Sequence, residues 1–131
     1  MLDEISAPAA IQRPTILVVD DFDDTRLLLR AWLERKGFRV IEAQNGNEAV
    51  AEAESQAPDL IIMDLELPGL DGLAATRRIR NVEKLARVPI LAVSAYGAEQ
   101  FRGAALQAGC TEYVSTPFEP ADLERLIRSF V

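Results

Sequence analysis

The sequence predicts an α/β protein built on a parallel sheet with helices on both faces. Two observations carry the prediction. Five short apolar runs alternate with five helical patterns from Thr15 onward, and that order calls for right-handed crossovers between parallel strands. The main runs are also apolar almost throughout, as suits strands covered from both sides.

Residues 1–13 carry Pro, Ala and mixed charge without a period and read as a loose lead-in to a single domain over 14–131. Thr15–Val19 (TILVV) is the first strand, a β-branched run ending in acid. Asp24–Lys36 follows as a helix, with Leu28, Leu29, Trp32 and Leu33 on one face and Arg26, Arg30 and Glu34 repeating on another. Gly37 closes it as a left-handed C-terminal residue. Arg39–Ala43 is a weaker strand, and Asn45–Gln56 an alanine-rich helix stopped by Pro58. Asp59–Met63 is the third strand, and Asp71–Asn81 a helix that Asp71 can cap, with Leu73 and Ile79 inward. Pro89–Val93 is the fourth strand. Ala98–Ala108 is a weak helix: it is rich in small alanines, and Gly103 costs it about 1 kcal/mol relative to alanine. Glu112–Ser115 is the last strand. Pro120–Phe130 starts with proline at its first position and spaces Leu123, Leu126, Ile127 and Phe130 along one face.

Composition excludes several kinds of chemistry. The 131 residues hold 14 Lys plus Arg against 21 Asp plus Glu, a net charge of −7, one cysteine and no histidine. Without histidine there is no Ser-His-Asp catalysis, no His-ligated zinc, and no histidine phosphodonor on this chain. The excess acid argues against nucleic-acid binding, which rests on neutralising phosphates. No apolar run reaches the roughly 20 residues of a membrane span, and no signal peptide is legible. The lone Cys110 fits a reducing cytoplasm. The chemistry left runs on carboxylates.

In a sheet of this kind, ligands bind outside the carboxyl ends of the strands. The residues there are Asp20 and Asp21 after the first strand, Asp64 and Glu66 after the third, Ser94 after the fourth, and Thr116-Pro117 after the fifth. Carboxylates converging on one spot favour protonation unless a cation compensates. Mg²⁺ fits such a spot, because it takes oxygen ligands from one or two carboxylates and completes its shell with water or a phosphate oxygen. A carboxylate beside such an ion can also act as a nucleophile toward phosphorus. Taken singly, each residue has a plainer role, Asp20-Asp21 as a turn and cap, Asp64 as a strand end. Their joint position at strand ends is what points to a site.

With LVVDD at Asp20 and Asp21, IIMDLELPGLDG around Asp64, PILAVSA at Ser94 and the late YVSTPF, the chain resembles the receiver domain of two-component response regulators over about residues 14–131. The resemblance implies a flavodoxin-like, doubly wound fold of five parallel strands in order 2-1-3-4-5 with five helices. It implies that Asp64 is the phosphoacceptor, taking a phosphoryl group from a histidine on a sensor kinase or a histidine phosphotransfer protein. Mg²⁺ would be held by Asp21, Asp64 and the backbone carbonyl of Glu66, and by Asp20 through water. Ser94 and Tyr113 would be the switch pair. A downstream protein partner would bind the surface of helix 4, strand 5 and helix 5. Pro68, Gly69, Asp71 and Gly72 match the family loop after the acceptor.

One position departs. The family carries lysine before the proline after strand five, and this chain carries Thr116, which supplies a hydroxyl but no charge. Lys36 and Lys84 sit at a helix end and in a surface loop. Three readings follow: a stand-alone phosphorylated receiver, with no room after Val131 for an effector; a divergent receiver working as a constitutive interaction module; and, from another class, a small phosphatase using Asp64 and Glu66 as nucleophile and acid. Glu66 is expected at the pocket rim, exposed, with the alternative that its carboxylate hinders an attacking water or adds to the metal site. Arg77, Arg78 and Arg80 are expected as a solvated face, and Trp32 at the core or its edge.

Overall fold

The computed structural model describes residues 13–95 and 100–131. The lead-in, apart from Arg13, and the predicted helix start at Ala98 lie outside these residues. Among the described residues ten elements alternate: β1 (Thr15–Val19), α1 (Asp23–Arg35), β2 (Arg39–Ala43), α2 (Gly46–Gln56), β3 (Leu60–Asp64), α3 (Gly72–Arg80), β4 (Ile90–Ser94), α4 (Gln100–Ala108), β5 (Glu112–Ser115) and α5 (Pro120–Arg128), with a short 3₁₀ turn at Glu83–Leu85. The sheet is parallel, in order β2-β1-β3-β4-β5. Fold class and strand order are those the sequence implied.

Each strand feeds both faces. Leu17, Val19, Ile61, Met63, Ile90 and Ala92 pack into one core with Ala49, Ala53, Ala75, Ile79 and Ala105 of α2, α3 and α4. The alternate residues Ile16, Val18, Leu60, Ile62 and Leu91 meet Leu33, Leu123 and Ile127 of α1 and α5. This two-sided burial is why the strands read as apolar throughout rather than alternating.

The helix ends follow from local chemistry. Gly37 adopts φ +98, which a side chain would strain. Asp71 Oδ1 accepts the Ala74 N–H at 2.8 Å and caps α3. Asn45 Oδ1 accepts the Glu48 N–H at 2.8 Å, and Glu48 Oε1 accepts the Gln44 N–H in return. Asn45→Ala is therefore expected to cost about 1 kcal/mol in urea unfolding; an unchanged midpoint would show that the cap contributes nothing. Helix α2 ends one residue ahead of Ala57, which takes φ 46 just before Pro58.

Some expectations need correction. Strands β3 and β4 start and end one residue later than the sequence suggested. Asp59 is a bend: its backbone N–H donates to Thr15 O, and its carboxylate accepts the Thr15 N–H at 2.7 Å. Leu28, grouped by helical spacing with Leu29, Trp32 and Leu33 on one face of α1, is 73% exposed, and Phe130 lies past the end of α5 and is also exposed. Arg80 is no solvated residue. It donates to Gly109 O and Leu85 O, joining α3 to the turns before β4 and β5. Arg77 and Arg78 are exposed as expected, and Trp32 is half-buried against the α1–α5 core.

Candidate functional site

Strand register sets the site. Val19 pairs with Met63, so the next residues, Asp20 and Asp64, stand side by side at the ends of adjacent strands. The chain leaves β1 toward β2 and returns to β3, so these ends flank the point where strand order reverses. Asp64 pairs with Val93 and Ser94 with Ser115, which places Ser94 at the next strand end along.

Asp20 and Asp64 fold their own loops. Asp20 Oδ1 accepts the Phe22 N–H and Asp64 Oδ1 accepts the Glu66 N–H, both at 2.8 Å. These side-chain-to-backbone turns reverse the chain after each strand. Helix α3 then starts in direct contact with β3: a Cβ on Gly72 would lie 2.3 Å from Asp64 O and 2.7 Å from Leu65 Cα. Only glycine fits that approach.

Carboxylate oxygens of Asp20, Asp21 and Asp64 lie within 4.8 Å of one another. Burial pushes the Asp64 carboxyl up to about 6, with Asp20, Asp21 and Glu66 adding to the effect against the Glu66 N–H bond. Asp20 is raised too, by burial and by Asp21, against the Phe22 N–H and the charge of Arg26. Oxygen donors of this kind, short of compensating charge, suit a hard divalent cation. The cluster opens into a cleft of about 840 Å³ that also takes in Ser94, Thr116 and, on the α1 side, Phe22, Leu28, Trp32 and Phe118.

The remaining predicted residues sort themselves around this cluster. Ser94 is 3% exposed, and its hydroxyl donates to Glu66 Oε2 at 3.2 Å. Glu66 is exposed, as expected of a rim residue, yet its carboxylate is engaged. Tyr113 is 7% exposed, with the Arg102 guanidinium 6.0 Å from its ring centre. Thr116 lies at the cleft wall, but its hydroxyl donates to Ser94 O at 3.3 Å. Neither lysine is near: Lys36 Nζ lies 3.4 Å from Glu124, and Lys84 Nζ donates to Glu54 O.

Two features escaped the sequence. Arg26 Nη1 donates to Asp20 O at 2.8 Å, and Arg26 and Arg30 both bond Glu42 on β2. The four-residue repeat of Arg26, Arg30 and Glu34 signalled a charged face, and Arg30 does reach Glu34. Nothing local announced that Glu42, on another element, would be their shared partner. The second is the Glu66–Ser94 bond, which spans 28 residues of sequence.

Fold and site together define a doubly wound α/β protein with a carboxylate cleft at its strand-order switch point. The chain belongs to the response regulator receiver domain family, whose model matches residues 16–128. It is 40% identical over 115 residues to an uncharacterized 14.6 kDa protein in the sodA1 3' region of Leptolyngbya boryana, covering 88% of each chain. It is 40% identical over 116 residues to the transcriptional regulatory protein ResD of Bacillus subtilis, covering 88% of this chain and 47% of ResD. It thus spans under half of that relative's length. Among solved structures, the receiver domain of the sensor histidine kinase PA1611 of Pseudomonas aeruginosa PAO1 matches at a TM-score of 0.84 and 39% identity, covering 91% of this chain and 98% of that one. That structure has a magnesium ion coordinated in its active site cleft. Among the described residues, no helix is long and apolar enough to cross a membrane.

Proposed function

We propose that the chain is a signalling receiver that takes a phosphoryl group on Asp64 and communicates through protein contacts. The observation that carries this reading is the gathering of Asp20, Asp21 and Asp64 within 4.8 Å at two adjacent strand ends of a receiver-family fold. Asp21 and Asp64, with the Glu66 carbonyl, would hold Mg²⁺, and Asp20 would reach it through water. The bound cation would neutralise charge on the phosphoryl oxygens.

Asp64 is the nucleophile. Its carboxylate oxygen bonds to phosphorus while the bond from phosphorus to the donor's histidine nitrogen breaks, leaving an acyl phosphate and a free imidazole. The donor histidine lies outside these 131 residues, which hold none. A histidine kinase or histidine phosphotransfer protein has access along the exposed Phe22 and Leu28, which line the cleft leading to Asp64. Ser94 and Tyr113 form the switch pair, and the downstream partner reads the surface of α4, β5 and α5. The role is regulatory, with no turnover beyond accepting and losing phosphate.

Incubation with acetyl phosphate and Mg²⁺ tests the reading. Intact mass is expected to rise by one phosphoryl group, and Asp64→Asn is expected to abolish the gain. No incorporation, or incorporation that survives Asp64→Asn, would overturn it. The second reading, an interaction module with weak or lost phosphorylation, draws support from Thr116, whose hydroxyl is engaged with a backbone carbonyl.

A further inference from the structure

Glu66 makes a contact unusual for a carboxylate at the mouth of an acidic cleft. Its Oε2 accepts the Ser94 hydroxyl at 3.2 Å and lies 3.4 Å from the Ala95 backbone nitrogen, which donates to the same oxygen. Two donors on consecutive residues, aimed at one oxygen, form a small oxyanion pocket at the end of β4. Ser94 is buried, so its hydroxyl proton is held away from bulk water and toward this acceptor. Bonds from neutral donors to an ionised carboxylate are the stronger kind.

We propose that Glu66 is a built-in stand-in for the phosphoryl group. Its carboxylate occupies the Ser94–Ala95 donor pair that a phosphoryl oxygen on Asp64 would need, and it must be displaced for that group to settle. The inference rests on Asp64 being the phosphoacceptor and adds the regulation of that site.

Three facts support an exchange of one anion for another. Glu66 follows Asp64 by two residues, its N–H is bonded to Asp64 Oδ1, and its carboxylate is close enough for its charge to act on the Asp64 carboxyl. Glu66 is exposed and has a place to go when displaced. Ser94 is buried with its hydroxyl aimed at Glu66, so the donor is fixed in place for whichever anion occupies it. The device makes acceptance slower.

The test compares the wild type with Glu66→Ala, Glu66→Asp and Glu66→Gln at saturating Mg²⁺. Its readouts are the rate of phosphate uptake from acetyl phosphate and the affinity for beryllofluoride. Glu66→Ala and Glu66→Asp are both expected to gain about tenfold, the scale of one charge-assisted hydrogen bond lost by the competitor. Aspartate keeps the charge but is one methylene too short for the donor pair. Glu66→Gln keeps the reach without the charge and is expected to fall between. If repulsion alone operates, Glu66→Asp will match the wild type and Glu66→Gln will match Glu66→Ala, and the proposal is overturned.

A second readout needs no phosphate. The Ala95 amide proton, followed by NMR in protein free of phosphodonor, is expected to move upfield in Glu66→Ala and Glu66→Asp as its bond is lost. An unchanged resonance would overturn the stand-in role. Should no variant take up phosphate or beryllofluoride, the phosphoacceptor reading fails instead, and the Ala95 resonance alone decides the role of Glu66.

Discussion

Thr116→Lys is expected to raise the rate at which Asp64 takes phosphate from acetyl phosphate about a hundredfold, the effect of one well-placed charged donor on a developing oxyanion. The cause is an imbalance of charge. Asp20, Asp21, Asp64 and Glu66 act on one cleft, and Arg26 is the cation felt there among the described residues, through Asp20. Arg26 is committed to Glu42, Asp23 and the carbonyl of Asp20. An incoming phosphoryl donor is itself an anion and meets this field without an ammonium to receive it. A lysine at 116 would start from the wall of the same cleft that Asp64 lines. Phosphate incorporation measured by quench and mass analysis would check the result. Equal rates in the two proteins would show that position 116 has no electrostatic part in acceptance. Thr116→Ser serves as the control, since it keeps a hydroxyl and adds no charge.

In metal-free protein, Asp64→Asn is expected to be more stable than the wild type by about 1–2 kcal/mol at pH 7.5, with the difference vanishing near pH 3.5. The Asp64 carboxyl is raised to about 6 in the folded protein against an ordinary value of 3.8. Between those values the folded chain keeps a proton that the unfolded chain has released. Stability from this group is thus lost as pH rises from about 4 to about 6, the reverse of the usual paired carboxylate. Two units correspond to roughly 3 kcal/mol. Solvent reaching the open cleft reduces that to the lower figure. Urea unfolding of both proteins in EDTA at several pH values measures the gap. Millimolar Mg²⁺ at pH 7.5 and constant ionic strength is expected to stabilise the wild type more than Asp64→Asn, because binding to the folded form alone adds stability by mass action. A gap that widens toward acid, or equal stabilisation by Mg²⁺, would contradict the arrangement.

Much of this site was legible because strand ends are marked in sequence. The runs before Asp20, Asp64 and Ser94 are apolar from end to end, and two-sided burial makes such runs stop abruptly where polar residues start. The off-by-one ends of β3 and β4 show the limit of that signal. Asp64 and Ser94 are the last paired residues of their strands rather than the first beyond them, because hydrogen bonding to the neighbouring strand continues past the apolar residues. Asp59 looked like a strand residue, and only its bonds to Thr15 make it a bend.

What sequence could not supply was contact between distant residues. The period of α1 grouped Leu28 with Leu29, Trp32 and Leu33, but helical spacing defines a stripe without fixing how wide the covered part is. In the fold, Leu33 takes the buried position and Leu28 is left at the cleft. The tie from Arg80 to Gly109, the shared use of Glu42 by two arginines and the reach of Glu66 to Ser94 all depend on which elements become neighbours. No local pattern encodes that.

The division of the core into two halves has a consequence for traffic. The apolar wall that leads to Asp64 belongs to the α1 side of the sheet, whereas Tyr113 and Arg102 belong to the α4 side. The cleft also takes in Phe118 and, at the start of α5, Pro120, so on the proposed reading a listener that grips α5 would share the donor's rim, whereas one confined to α4 and β5 would not. On that reading, a listener seated on α4 and β5 can be in place while phosphate is delivered, and one that also holds α5 must wait for the donor to leave.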